Sequence, residues 1–250
     1  MTEPNFANVS IPGPHGPIPG YIATPKTPGP WPGVVVIHDA IGFGSAVRNH
    51  ADWLAEEGYL AVAPNLFHWD KKMACLKSSF RAVRERKGRQ FEEIEAARQF
   101  LAAQPGHTGK TGIIGFCMGG AYVLLLAPNA DDYHAASINY GRIPEDAGEI
   151  LKGACPVIAS YGGNDRSIKN GGERIEKALT EAGVVHDVKE YPGAGHMFMD
   201  KYDKGELPRS LTALEKIFGM GYREGAAEDA KRRIEAFFEE HLKGQAAPTS

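Results

Sequence analysis

The 250-residue sequence predicts an α/β protein with a mostly parallel central sheet, helices on both of its faces and an antiparallel hairpin at its N-terminus. Three observations point there. Short β-branched or apolar runs alternate with amphipathic segments, the pattern of strand–helix–strand crossovers. The runs read as buried on both sides, as strands of parallel sheets are. Glycine and proline, 30 and 17 residues, punctuate the boundaries, and nine of the prolines fall in the first 32 positions.

In chain order, Ala7, Val9 and Ile11 alternate, and Ile18 to Ala23 are extended in character. The turn cluster Gly13-Pro14-His15-Gly16-Pro17 joins them as a hairpin at a sheet edge, where proline is tolerated. Pro25 to Pro32 reads as a stiff connection, and Val34 to Ile37 as a core strand followed by a glycine-containing loop. Val47, Ala51, Leu54 and Ala55 share a helical face that ends at Gly58, and Leu60 to Ala63 form a strand stopped by Pro64. Phe91, Ile94, Ala97 and Leu101 mark a helix, Ile113-Ile114 a strand, and Ala121 to Ala127 a very apolar helix. Ala135 to Ile138 and Val157 to Tyr161 are strands; Gly172 to Thr180 is a helix, Val184 to Tyr191 a strand, and Ala226 to Leu242 a final amphipathic helix. No composition break or internal repeat divides the chain. Residues 1–250 read as one domain, with 1–32 as proline-rich hairpin and connection and 244–250 as a flexible tail.

Composition excludes several roles. Hydrophobic residues are 42% and charged residues 24%, so wholesale disorder is excluded. A net charge of −3 gives no general attraction to nucleic acid or to an anionic membrane. The longest apolar runs are too short to span a bilayer, and Met1–Ser10 lacks the pattern of a secretory signal. Cys75, Cys117 and Cys155 are odd in number and scattered, which fits neither a disulfide framework nor a zinc site. The simplest reading is a reduced, cytoplasmic protein without metal or cofactor. Monomer and homo-oligomer stay equally open.

In open α/β sheets ligands bind at the carboxyl ends of the strands. Three post-strand loops carry reactive side chains. After Ile113-Ile114 comes Gly115-Phe116-Cys117-Met118-Gly119-Gly120, a nucleophile elbow with cysteine where serine is more usual. After Val157–Tyr161 comes Asp165 in a glycine loop, and after Tyr191 comes His196. Alone, such an aspartate is most often a turn residue and such a histidine a solvated one. Together, in the order nucleophile, acid, base, they form a candidate triad Cys117–His196–Asp165. His196 would take the Cys117 proton and return it to the leaving group, and Asp165 would hold the His tautomer. The oxyanion donors would be the backbone N–H groups of Met118 and of Ala40, in the loop after Val34–Ile37.

These motifs resemble the dienelactone hydrolase family of α/β hydrolases. The resemblance runs from about Gly20 to Lys243 and includes Gly58-Tyr59-Leu60-Ala61-Val62-Ala63-Pro64, Cys155-Pro156-Val157 and Gly193-Ala194-Gly195-His196. It implies the α/β-hydrolase fold and a cysteine-dependent hydrolysis of small esters or lactones through a thioester, with no cofactor. Two positions depart from the family. Its glutamate near the thiol is replaced by Asp39 in His38-Asp39-Ala40-Ile41-Gly42. Its substrate-binding arginine after the catalytic histidine is replaced by Asp200, beside Lys201, which would repel a substrate carboxylate.

Asp39, Ile41, Tyr140 and Phe198 are therefore candidates for the pocket wall or for tuning the thiol. Phe67, His68 and Trp69 lie on the same side, with packing an equal alternative. His38 reads mainly as a structural histidine, and Cys75 and Cys155 as bystanders. Arg81, Arg84, Arg86, Lys87 and Arg89 read mainly as a solvated helix face, from which one member could reach an anionic substrate. Two other functions stay open: a ligand-binding or regulatory protein with little turnover, and a thioesterase or acyl-transfer enzyme. No nucleic-acid or membrane partner is expected.

Overall fold

A computed structural model describes residues 7–207 and 220–244. Its eight strands form one sheet in the order β1-β2-β4-β3-β5-β6-β7-β8. The strands are β1 (Val9–Ile11), β2 (Ile18–Ala23), β3 (Trp31–Ile37), β4 (Leu60–Pro64), β5 (His107–Phe116), β6 (Ala135–Asn139), β7 (Val157–Gly162) and β8 (His186–Tyr191). The pairings β1·β2 and β2·β4 are antiparallel, which sets the hairpin at one edge as expected. Every pairing from β4 to β8 is parallel.

The helices are α1 (Ser45–Glu56), α2 (Lys72–Glu85), α3 (Arg89–Ala102), α4 (Met118–Leu126), α5 (Ala147–Ile150), α6 (Gly171–Ala182) and α7 (Glu224–Phe238), the last continuing as a wider turn over Glu239–Lys243. Val34 to Ile37, Ile113 and Ile114 are wholly buried, which explains their unbroken apolar character. Each such side chain contributes about 1.5–3 kcal/mol relative to exposure. Helix α4 is apolar all round because it packs against β5 and β6 and also meets α2, so it shows no polar face.

Several boundaries differ from the sequence expectation. Strand β5 starts six residues earlier than Ile113, because the polar stretch His107–Lys110 extends the ladder beyond the core. Helix α2 is longer than expected, since the sequence reading marks only the basic residues from Arg81 onward as a helix face. It buries Cys75, Ser79 and Ala82, with Leu76 and Val83 partly buried against the core, a stripe of small and medium side chains and so a weak signal in the sequence. Helix α5 is a single turn and silent in the sequence. Of the expected flexible tail, residues 245–250 lie outside the described residues. No helix of the described residues is long and apolar enough to cross a membrane.

The parallel register brings the reactive loops together. Phe116 pairs with Asn139, Asn139 with Ser160, and Gly162 with Tyr191. The strands β5 and β6 therefore end level, and β7 and β8 end level with each other two residues further on. The residues just after them emerge side by side at one edge of the sheet.

Candidate active site

Cys117 sits between β5 and α4 with φ 52 and ψ −111, a backbone conformation that side-chain-bearing residues rarely adopt. The turn is possible because its neighbours have no side chains. A Cβ on Gly115 would lie 2.3 Å from the backbone of Gly119, and a Cβ on Gly119 would lie 2.3 Å from the carbonyl oxygen of Ile37. The elbow is also tied to β6, since the Cys117 N–H donates to the Asn139 carbonyl at 3.0 Å. Cys117 is half-buried and unpaired; Cys75 and Cys155 are buried and unpaired. Burial pushes the Cys155 thiol up to about 12, so it is chemically quiet.

His196 lies between Cys117 and Asp165. Its Nδ1 is 2.6 Å from Asp165 Oδ2, and its ring is hydrogen-bonded to the Cys117 thiol. Burial opposes a charge on His196. The negative charge on Cys117 and the Asp165 carboxylate outweigh it and raise His196 well above the ordinary imidazole range. Burial likewise pushes Asp165 up, but its hydrogen bond to His196 and two bonds from Ser167 bring it below its ordinary value. Sequence reasoning missed Ser167. Its N–H and Oγ–H both donate to Asp165 Oδ1, at 2.8 and 2.6 Å, and its Oγ is 3.4 Å from His196 Nδ1. The Asp-x-Ser spacing of a local Asx turn was the available signal.

Met118 and Gly119 stand in the first turn of α4, where N–H groups have no intrahelical acceptor. The Met118 N–H makes no backbone or side-chain hydrogen bond among the described residues, and neither does that of Ala40. The reason lies in Asp39. Its Oδ1 accepts from the N–H groups of Ile41 at 2.7 Å and Gly42 at 3.2 Å, folding the loop so that the intervening Ala40 is left over. The close approach of Gly119 to Ile37 sets this loop beside the elbow. Asp39 Oδ2 accepts from the Tyr202 hydroxyl, so both carboxylate oxygens are engaged away from the thiol, Oδ1 by backbone and Oδ2 by Tyr202. Burial, then the nearby Asp200 charge, raise the Asp39 carboxyl well above its ordinary value.

Asp200 is likewise turned away from the cavity. It is buried, with Oδ1 2.9 Å from His50 Nε2 and Oδ2 accepting from the Tyr140 hydroxyl at 2.9 Å. Burial pushes it up to about 7, against the lowering effect of the Tyr140 bond and the His196 charge. Burial drives His50 well below the usual imidazole range, so His50 meets Asp200 as a neutral ring, stacked 3.7 Å from the Phe116 ring. Tyr140 holds a positive φ of 40 and packs edge-on against His196, with ring centroids 5.4 Å apart. Phe198 packs behind it at 5.4 Å and is buried.

A cavity of about 1260 Å³ opens onto Cys117 and His196, with Met118, Tyr140 and Ser167 in its wall. Of the four pocket candidates, Tyr140 lines this cavity; Asp39, Ile41 and Phe198 do not. Phe67 packs against His38 at 4.7 Å, and His68 bonds Glu93. Burial pushes His38 down to about 4; its ring contacts the Asp39 carbonyl and accepts from the Leu66 N–H, a structural role. Of the basic cluster, Arg81, Arg84 and Arg86 reach the cavity wall. Arg89 instead pairs with Glu93 and covers the Trp69 ring, and Lys201 stands over Tyr222. All three are solvent-exposed, as a solvated helix face requires, and they also line the cavity, so the side chains that could reach an anionic substrate are among them.

The model of the dienelactone hydrolase family matches residues 18–242. The chain belongs to the dienelactone hydrolase family. It is an α/β hydrolase of the carboxylic-ester class by that membership. A protein of Methylorubrum extorquens, provisionally named a carboxymethylenebutenolidase, is 28% identical, with 93% of this chain and 80% of the relative covered. A Pseudomonas putida carboxymethylenebutenolidase is 25% identical, with 68% and 75% covered. Among solved structures, one from Klebsiella pneumoniae, provisionally described as a dienelactone hydrolase, superposes with a TM-score of 0.75 at 26% identity. That superposition covers 93% of this chain and 97% of that one.

Proposed function

We propose that this family member hydrolyses small esters or lactones by a cysteine nucleophile, Cys117, through a thioester acyl-enzyme. The observation that carries the reading is the chain of contacts from the strained Cys117 through His196 to the ionised Asp165, in the wall of a cavity. His196 holds the shared proton in the resting site. The Cys117 sulfur attacks the ester carbonyl carbon, and a C–S bond forms as the carbonyl becomes an oxyanion. The unpaired N–H groups of Met118 and Ala40 are the donors suited to that oxyanion. Collapse breaks the C–O bond, and imidazolium protonates the departing oxygen. A water then gives its proton to His196 and attacks the thioester, which releases the acid and restores the sulfur. Asp165 keeps Nδ1–H directed at itself throughout, so Nε2 serves the reacting atoms. Asp39 acts in this scheme by shaping the Ala40 loop, and Tyr140 by packing against the His196 ring.

An aryl acetate supplies the test. Rapid quench and peptide mass spectrometry should find the acetyl group on Cys117, and Cys117→Ala should abolish turnover while keeping the wild-type melting curve. Full turnover by that variant, or acylation elsewhere, would sink the assignment. We also infer a reducing, cytoplasmic setting, since three unpaired cysteines include one that must stay a free thiol; recovery of the chain in a periplasmic or secreted fraction would contradict it.

A further inference from the structure

The cavity at Cys117 is lined by six cationic side chains and one carboxylate, Glu145, in a chain whose net charge is −3. Four of the cations belong to helix α2 and its end: Lys77, Arg81, Arg84 and Arg86. Lys77, Arg81 and Arg84 recur with Phe80 at the spacing of one helical face. The opposite stripe, Cys75, Ser79 and Ala82, is the one buried against the protein. From other elements, Arg142 follows β6 and Arg174 stands on α6, and both line the same cavity.

These charges are not equally free to meet a ligand. Arg86 is held by both oxygens of Asp146, at 2.6 and 2.7 Å, and is neutralised. Arg84 lies 3.5 Å from Glu85, both exposed. Arg174 donates to the Ile143 carbonyl at 2.7 Å, which leaves its charge uncompensated. Lys77, Arg81 and Arg142 make no ion pair or hydrogen bond among the described residues. Like charges collected around one opening repel one another, and a bound anion relieves that repulsion. Arginine further suits a planar or tetrahedral oxyanion, which it can grip with two N–H groups. Phe80, Val83, Ala121, Leu125 and Ile143 give the same cavity an apolar lining beside these cations. The cavity also exceeds the roughly 300–1,000 Å³ of common ligand pockets. A small neutral lactone would leave both the collar and most of the volume unused.

We infer that the substrate is an ester carrying a dianionic group, a phosphate monoester or a dicarboxylate. Arg81 from one wall and Arg142 from the other grip the dianion while its hydrocarbon crosses the apolar band to Cys117. This rests on the reading of Cys117 as nucleophile.

The test uses esters that share one scissile bond and differ only in their far end: hydroxyl, monocarboxylate, dicarboxylate or phosphate. At about 50 mM salt the dianionic esters should exceed the hydroxyl ester in kcat/KM by about tenfold or more, mainly through KM, and about 0.5 M salt should remove most of the advantage. R81Q/R142Q should collapse the ratio of dianionic to neutral turnover toward one, while K110Q, a cation remote from the cavity, keeps it. The better of the two dianions names the group. A ratio near one in the wild type, or a ratio indifferent to R81Q/R142Q, overturns the inference. A second arm needs no catalysis: pyrophosphate should slow alkylation of Cys117 by iodoacetamide in the wild type and lose that effect in R81Q/R142Q. Absence of protection overturns the anion site. Protection without turnover of any ester keeps the anion site and removes the hydrolase reading. Turnover without charge preference does the reverse.

Discussion

The elbow after β5 and helix α2 face each other across the same cavity, and they are built in opposite ways. The elbow is packed backbone against backbone: Gly115 against Gly119, Gly119 against Ile37, with α4 buried along almost its whole length. Helix α2 rests on three small or medium buried residues and leaves Met73 and Phe80 largely exposed. Interiors are close-packed and resist displacement, so the elbow can hold strained angles at Cys117. A thinly buried helix cannot store strain, but it tolerates substitution and so can carry selectivity. The contrast assigns chemistry to the rigid wall and recognition to the loose one.

The contrast can be broken at its rigid end first. Cys117→Ala should reduce ester turnover by about 10⁴-fold or more, with unfolding by urea unchanged, as measured by steady-state assay and circular dichroism. Gly119→Ala is expected to cost about 3 kcal/mol of stability, because its methyl group meets the Ile37 carbonyl rather than a side chain that could yield. Unchanged urea midpoints in that variant would mean the elbow is softer than its packing implies.

Asp165→Asn probes the electrostatics that the rigid wall supports. Asp165 helps raise His196, so its loss lowers the histidine's pKa, and imidazolium is lost at lower pH. The alkaline limb of the kcat/KM profile should move to lower pH, and activity should fall by about 10²-fold. A limb that stays in place would separate His196 from Asp165. On the loose wall, Phe80→Ala should change KM by about threefold and stability by less than about 0.5 kcal/mol, since Phe80 is 53% exposed.

A separate effect, on stability rather than turnover, concerns the carboxyl buried behind the site. The folded value for Asp200 is about 7 against an ordinary 3.8. A carboxyl raised on folding stabilises fully below its unfolded value, and that contribution disappears as pH rises through the folded one. Between about pH 4 and 7 the wild-type Tm should therefore decline relative to that of Asp200→Asn. Tyr140 and His50 can still bond the amide, so the variant should fold. Thermal melts across that range provide the check, and parallel curves would count against a buried, proton-retaining Asp200.

Much of this arrangement was legible in the residues. Val34–Ile37, Leu60–Ala63 and Val157–Tyr161 advertise two-sided burial through unbroken apolar runs, and each proved to be a parallel strand or most of one. The elbow was legible because only glycine fits at positions 115 and 119. Helix α2 was less so, because the stripe it buries consists of small and medium residues, Cys75, Ser79 and Ala82. Ser167, His50 and Tyr202 were not, because nothing in the composition near a serine, histidine or tyrosine tells which carboxylate it will meet.

The amino-acid sequence by itself determined the alternation of strands and helices and the three loops that carry Cys117, Asp165 and His196. Those are consequences of local periodicity and of glycine's missing side chain, and they act within a few residues. Tertiary structure alone decided where the charges went. It turned Asp200 inward to His50 and Tyr140, gave Asp39 to the backbone of its own loop, and aimed Arg81 and Arg142 into one cavity from elements about sixty residues apart. A side chain's direction and partner depend on which distant segments fold beside it, and no local pattern encodes that.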